Sequence, residues 1–325
     1  MPPGPTLYFL GGVTASGKSG LALGWAEENN AEILSCDSIA IYRGMDLGSA
    51  KPTCEERERV AHHGLDLTVV GDGYDVSRYV EYSRAVVEQV YSRGRSLLVV
   101  GGSGFYLQSF FEPVIDEVEV TDEIRTEVRE LFDQEGITGL LAQLDSFNAG
   151  EPLELDRKNP QRLIRALERC LGSGLRLSEL RSRFRALPTP FSGYGKKRIW
   201  LDRTDPDLSS RIEERTKEMI SRGLVKETEA LVAEGLLENH SACSSVGYRE
   251  CSAFLRGEIS EADLAPSITR STRQLVAKQR KWFRKAFPRE SRLLLEEGYQ
   301  LATTDLTTRW HGQGGAEGLL GEREI

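Results

Sequence analysis

The run Gly12-Val13-Thr14-Ala15-Ser16-Gly17-Lys18-Ser19 carries the Gly-x-x-x-x-Gly-Lys-Ser spacing of a phosphate-binding P-loop. Small residues let successive backbone N–H groups curl around an anion at a helix N-terminus, where the peptide dipoles also favour negative charge. Lys18 adds a point charge for the terminal phosphate, and the Ser19 hydroxyl is a candidate magnesium ligand. Asp37 and Ser103 stand at the ends of two further apolar runs. Arg211 and Arg215, four residues apart on one helix face, are candidates to grip a diphosphate. The set spells polyphosphate without saying which one. Each member also has a plainer use: Asp is a common strand-end turn former, and Arg211 and Arg215 could pair with Glu214 or Glu218.

These residues need strands that end together. Leu7-Tyr8-Phe9-Leu10 leads into the loop and Leu21 to Glu28 reads as the helix behind it. Ala31 to Cys36 is a short apolar strand ending at Asp37, and His62 to Leu67 could be another. Ser77 to Arg93 has helical spacing, with Tyr79, Val80, Val86, Val87 and Val90 on the buried side. Leu97-Leu98-Val99-Val100 is the most buried strand signal and runs into Gly101-Gly102-Ser103-Gly104. Strands alternating with helices predict an α/β fold, a P-loop NTPase-like parallel sheet flanked by helices. In such sheets ligands sit beyond the carboxyl ends of the strands, so loop, Asp37 and Ser103 should share one crevice.

After Pro113 the chain turns charged and helical. We expect a first part of the core over 1–113, a helical insertion domain over 114–195, and a return to the core over 196–306 that opens with the strand Lys197 to Leu201. Helices are expected over Ser209 to Arg222, Lys226 to Glu234 and Ser271 to Phe287. The tail, 307–325, with its glycines from Gly312 onward, is expected to be disordered.

The 325 residues are 39% hydrophobic and 28% charged, an ordinary soluble composition with no apolar run long enough to span a membrane. The first strand follows the N-terminus at once, so no signal peptide is expected. Five cysteines without CxxC spacing point to a reducing cytoplasm rather than disulfides or zinc. The net charge of −8 argues weakly against nucleic acid. Two basic stretches argue the other way. One runs from Arg157 to Arg185 and the other from Arg270 to Arg292. Either stretch alone would pass for a solvated helix face.

Nucleotide-hydrolysing P-loop proteins also carry an apolar strand ending in a magnesium-holding Asp. Here the best apolar strand ends in Gly101-Gly102-Ser103, which weakens the ATPase and GTPase readings. A small-molecule kinase with Asp37 as base stays open.

The second strand and its sequel, Cys36 to Pro52, closely resemble the Asp-Ser-x-x-x-Tyr-x-x-Met-x-x-Gly-Thr-Ala-Lys-Pro signature of tRNA dimethylallyltransferases. The similarity continues in Gly101 to Tyr106, Asn159 to Glu168, Val246 to Glu250, Thr272 to Leu275, Gln279 and Trp282 to Arg284, and spans residues 7–290 in the family's order. It implies transfer of a dimethylallyl group from dimethylallyl diphosphate to the N6 amine of the adenosine immediately 3′ of the anticodon, in tRNAs reading codons that start with U. Magnesium is the implied cofactor. The anticodon stem-loop and the prenyl diphosphate are the implied partners, with a monomer and no obligate protein partner expected.

Residue by residue, the resemblance implies that Gly12, Val13, Thr14, Ala15, Ser16, Gly17, Lys18 and Ser19 cradle the diphosphate, that Asp37 is the base and that Ser103 preserves a hydroxyl where the family usually has Thr. An adenine in a stacked loop must be extruded to react. The implied tRNA contacts are Asp37, Ser38, Ile39, Ala40, Ser103, Arg125, Gln161, Arg162, Leu163, Ile164, Arg165, Ser244, Ser245, Val246, Gly247, Tyr248, Arg249, Lys278, Gln279, Arg280, Lys281, Trp282 and Arg284. Tyr248 and Trp282 suit base stacking, although aromatics at helical spacing are more often core. Val13 in place of Pro, Asn159 in place of Asp, Ser244 in place of a basic or polar residue, and Ala277-Lys278 before Gln279 depart from the family's pattern. A tRNA-binding relative without catalysis is a third reading.

Overall fold

In the computed structural model, which describes residues 5–116, 118–299 and 301–313, six strands form one sheet with every pairing parallel. They are β1 (Thr6–Gly12), β2 (Ala31–Cys36), β3 (His62–His63), β4 (Ser96–Gly101), β5 (Gly195–Arg203) and β6 (Arg292–Leu295), in the order β3-β2-β4-β1-β5-β6. The four main strands read as apolar runs because both faces of the sheet are covered. Leu7, Phe9, Leu34, Leu97 and Val99 meet the helices Val76–Ser92 and Glu261–Ala286 on one face. Leu10, Ile33, Leu98, Val100 and Ile199 meet the helix Lys18–Glu28 on the other, as the two-residue side-chain period requires. Trp200 of β5 stacks on Phe283 at 5.2 Å, a ring pair worth about 0.5–1.5 kcal/mol beyond its buried area.

Register aligns the strand ends. Gly11 of β1 and Cys36 of β2 both lie opposite Gly101 of β4. Gly101 has no alternative, since a Cβ there would lie 2.0 Å from the Cys36 carbonyl oxygen. The chains leaving β1, β2 and β4 therefore emerge side by side.

The described residues fold as two units, those within 1–111 and 191–325 and those within 112–190. The second is helical, with Asp122–Phe147, Pro160–Ser173 and Leu177–Arg185 around a core that includes Val128, Leu140, Leu163 and Leu167. Asn159 caps the middle helix, its Oδ1 accepting from Arg162 N–H at 3.3 Å, with Pro160 at the first helical position. The replacement of Asp by Asn thus keeps the cap.

Two expectations need correction. The segment His62 to Leu67 is a strand only at His62–His63. The tail is not disordered from Thr307: the helix Thr303–Gly312 runs through it, because Trp310 is fully buried against Tyr8 and Trp25, and Trp25 Nε1–H donates to Thr307 Oγ1 at 2.9 Å. The downstream glycines, residues 314–325, lie outside the described residues. The helix Tyr248–Leu255 and strand β6 drew no expectation.

Candidate active site

The loop after β1 is held by its neighbours. Val13 N–H donates to the Leu201 carbonyl of β5 at 3.3 Å, and Ser16 N–H closes back on Val13 O at 3.3 Å. Ala15 (φ 61°) and Gly17 (φ 89°) take left-handed conformations on either side of Ser16, a turn of the kind that can leave backbone amides to an anion, although the Val13, Thr14 and Ser16 amides are already bonded within the protein. From outside, buried Arg203 donates through Nε to the Ser16 carbonyl at 2.9 Å and is itself held by Asp207 at 2.7 Å. Sequence reasoning did not single out Arg203, which lies two residues past the expected strand Lys197 to Leu201. Its one signal is Asp207, four residues on.

Lys18 opens the helix behind the loop and, with Ser19, lines a cavity of about 830 Å³. Burial, and then Arg215, push the Lys18 ammonium down to about 8, while Asp37 pulls the other way. Burial likewise lowers Arg215, and Asp37 opposes that shift too. Two half-buried cations and one carboxylate thus line the same cavity, an arrangement that favours an anion.

Asp37 both caps a turn and lines the cavity. Its Oδ1 accepts from the Ile39 and Ala40 amides at 2.9 and 3.4 Å, fixing the turn after β2. That leaves Oδ2 for the cavity that Asp37 lines. Ser103 Oγ accepts from Ser38 N–H at 3.1 Å and lies 3.4 Å from Ser38 Oγ, tying the end of β4 to that of β2. The cavity wall continues through Ser38, Ile39, Ala40, Ser244, Ser245, Val246, Arg249, Lys278, Gln279 and Trp282, together with Thr14 of the loop. Phe105, Thr272 and Gln274, which the family motifs include without a role assigned to them, also line it, as does Ser271 at the start of an expected helix.

Other candidates fall elsewhere. Arg211 does not line the cavity, because Asp207 takes its Nε at 2.9 Å; its partner is Asp207 rather than Glu214 or Glu218. Tyr248 cannot stack on a base. It is fully buried, donating to Glu227 at 2.6 Å and accepting from Gly48 N–H at 3.2 Å. Gly247, at φ 95°, starts that helix, and Val13 is buried. Arg280 is committed inward, to Asp202, Asp205 and the Arg203 carbonyl. Lys281 and Arg284 are exposed on the same helix. In residues 112–190, Leu163 and Ile164 belong to the core, whereas Gln161, Arg162 and Arg165 line a separate hollow of about 430 Å³ with Arg169 and Arg181. Arg125 is exposed beside Asp122.

An acidic strand end does exist, one that sequence reasoning missed. Asp202 follows Ile199-Trp200-Leu201 on β5, next to the loop strand, yet Arg280 and Arg292 occupy its two oxygens. Among the described residues no three His, Cys, Asp or Glu gather as a metal cluster. A hard cation here would rest on the Ser19 hydroxyl, phosphate oxygens and water, the way magnesium is commonly held beside phosphates.

The IPP transferase family model matches residues 40–286. A tRNA dimethylallyltransferase of Opitutus terrae is 46% identical over 289 residues, 89% of this chain and 93% of the relative. One of Koribacter versatilis is 34% identical, over 86% of this chain and 90% of its own. Among solved structures, the tRNA delta(2)-isopentenylpyrophosphate transferase of Staphylococcus epidermidis superposes with a TM-score of 0.66 at 25% identity, covering 95% of this chain and 99% of that one. A eukaryotic dimethylallyltransferase acting on tRNA shares the fold, with a TM-score of 0.75 at 21% identity over 96% of this chain and 76% of that one.

Proposed function

The chain belongs to the IPP transferase family, and from that premise we propose that it transfers the dimethylallyl group of dimethylallyl diphosphate to the N6 amine of the adenosine immediately 3′ of the anticodon, in tRNAs that read codons starting with U. The observation that carries this reading is the shared register of β1, β2 and β4, which brings an anion loop, Asp37 and Ser103 to one cavity.

Lys18, Arg215 and the loop amides not bonded elsewhere in the protein bind the diphosphate. The bond from the allylic carbon to the diphosphate oxygen breaks, and its electron pair leaves with the diphosphate. The adenine N6 lone pair forms the new C–N bond, and the N6 proton passes to Asp37 Oδ2. An aromatic amine is a weak nucleophile, so a placed base contributes about 10²–10⁴-fold. Ser103 keeps the Asp37 turn in place through Ser38. Trp282 and Phe105 offer aromatic surface to an extruded base. Magnesium at Ser19 would neutralise charge on the diphosphate.

A kinase is less well served, because Asp202, the acidic strand end, is already neutralised by two arginines. The family acts on tRNA, and exposed Lys278, Lys281 and Arg284 suit a phosphate backbone. We place the enzyme in the cytoplasm, where its five free cysteines stay reduced. Among the described residues no helix is long and apolar enough to cross a membrane.

The test is incorporation. Purified protein given labelled dimethylallyl diphosphate, magnesium and unmodified tRNA should label the adenosine beside the anticodon. Absence of label from every tRNA with an adenosine there would refute the reading, and ATP-dependent phosphorylation of a metabolite would replace it with the kinase.

A further inference from the structure

Gln279 lies in the helix Glu261–Ala286, and the family resemblance puts it among the tRNA contacts. Its amide is engaged inside the protein. Oε1 accepts from Thr14 N–H at 2.9 Å, and Nε2 donates to the Gly102 carbonyl at 3.2 Å. Thr14 belongs to the anion loop after β1, and Gly102 to the turn after β4. The next residue, Ser103, accepts from Ser38 N–H, and Ser38 follows Asp37. One hydrogen-bonded chain therefore runs from the leaving-group loop through Gln279 to the turn that holds the base.

The chemistry selects this side chain. The link needs an acceptor at one end and a donor at the other, which a primary amide supplies and a carboxylate or an alkyl chain does not. Gly102 leaves room for it, since a Cβ there would lie 2.5 Å from Gln279 Nε2. We propose that Gln279 is a positioning residue for the transfer step, setting the separation between the bound diphosphate and Asp37. The inference rests on the transfer reading above. Misplacing a reacting group by about 1 Å can cost on the order of 10²-fold in rate, so a small slackening of this link is enough to be seen.

The experiment is single-turnover transfer at saturating tRNA and donor, alongside the tRNA dissociation constant, for Gln279→Glu and Gln279→Met. Gln279→Glu keeps the acceptor but faces the Gly102 carbonyl without a hydrogen, and Gln279→Met keeps the bulk and loses both bonds. The transfer rate should fall by about 10²-fold with tRNA affinity unchanged. Gly102→Ala, which leaves the amide present but displaces it, should behave alike and serves if the Gln279 variants do not fold. A wild-type rate in these variants, or a loss confined to tRNA affinity, would overturn the inference. Failure of the wild-type protein to label tRNA would instead overturn the transfer reading itself.

Discussion

The anion loop and the arginine-lined hollow of residues 112–190 gather positive charge in opposite ways. At the loop the cations are few and half-buried. Burial and Arg215 lower Lys18, and only Asp37 stands against them nearby. In the hollow, Arg165, Arg169 and Arg181 each rest on an acid of their own unit, Glu168, Asp116 and Glu154. The Arg181–Glu154 pair is exposed and contributes about 0–1 kcal/mol, while Glu168 is buried beneath Arg165 and Asp116 is part-buried against Arg169. A count of charges would rank the hollow first. Desolvation and fixed amides rank the loop first for one small anion, and leave the hollow suited to weak contacts with many phosphates.

The largest effect should come from Asp37, which belongs to neither set of cations. Asp37→Ala should lower the single-turnover rate by about 10²–10⁴-fold while pyrophosphate still binds. Lost pyrophosphate affinity with normal chemistry would move Asp37 to the loop's side of the contrast. Next, Lys18→Ala should weaken pyrophosphate binding by about 2–5 kcal/mol in calorimetry, and Arg162→Ala should leave it unchanged. Equal losses would erase the difference between the regions.

The loop's desolvation can be sharpened by pH. Lys18 in the empty loop titrates near 8, and a bound diphosphate raises that value. The affinity due to its charge is full below pH 8 and falls as pH rises above it, by up to about tenfold per unit. Calorimetry in two buffers should show proton uptake on binding near pH 8; none would mean the ammonium is already charged there. The smallest effects belong to the exposed cations. Arg284→Ala should reduce the slope of log tRNA affinity against log salt by about 1. Arg165→Ala, whose charge Glu168 already opposes, should change that slope less, and an equal change would show that the pairing is irrelevant.

Much of this was legible in the chain. The loop, Asp37 and Ser103 announce themselves because each closes an apolar run that a two-sided parallel sheet requires. Longer-range facts were not. Arg211 and Arg215 look alike by spacing, and only Asp207, one turn earlier, separates them. Tyr248 suits base stacking by resemblance but core by helical spacing, and Glu227 beside its hydroxyl decides for core. Gln279 and Thr14 lie too far apart in sequence for spacing to relate them. The last helix was hidden by the glycines that follow it, while its real determinant, Trp310 against Trp25, joins the two ends of the chain.

The position of β1 between β4 and β5 has a consequence for biosynthesis. When β4 has left the ribosome, β1 is paired on one side only, and its other edge stays open until Gly195–Arg203 emerges. All of residues 112–190 are made in between, an interval on the order of 5–20 s at ordinary translation rates. The Leu201 carbonyl that receives Val13 N–H arrives only at the end of it. The nascent chain thus carries an unpaired strand edge beside the loop after β1 until β5 is made.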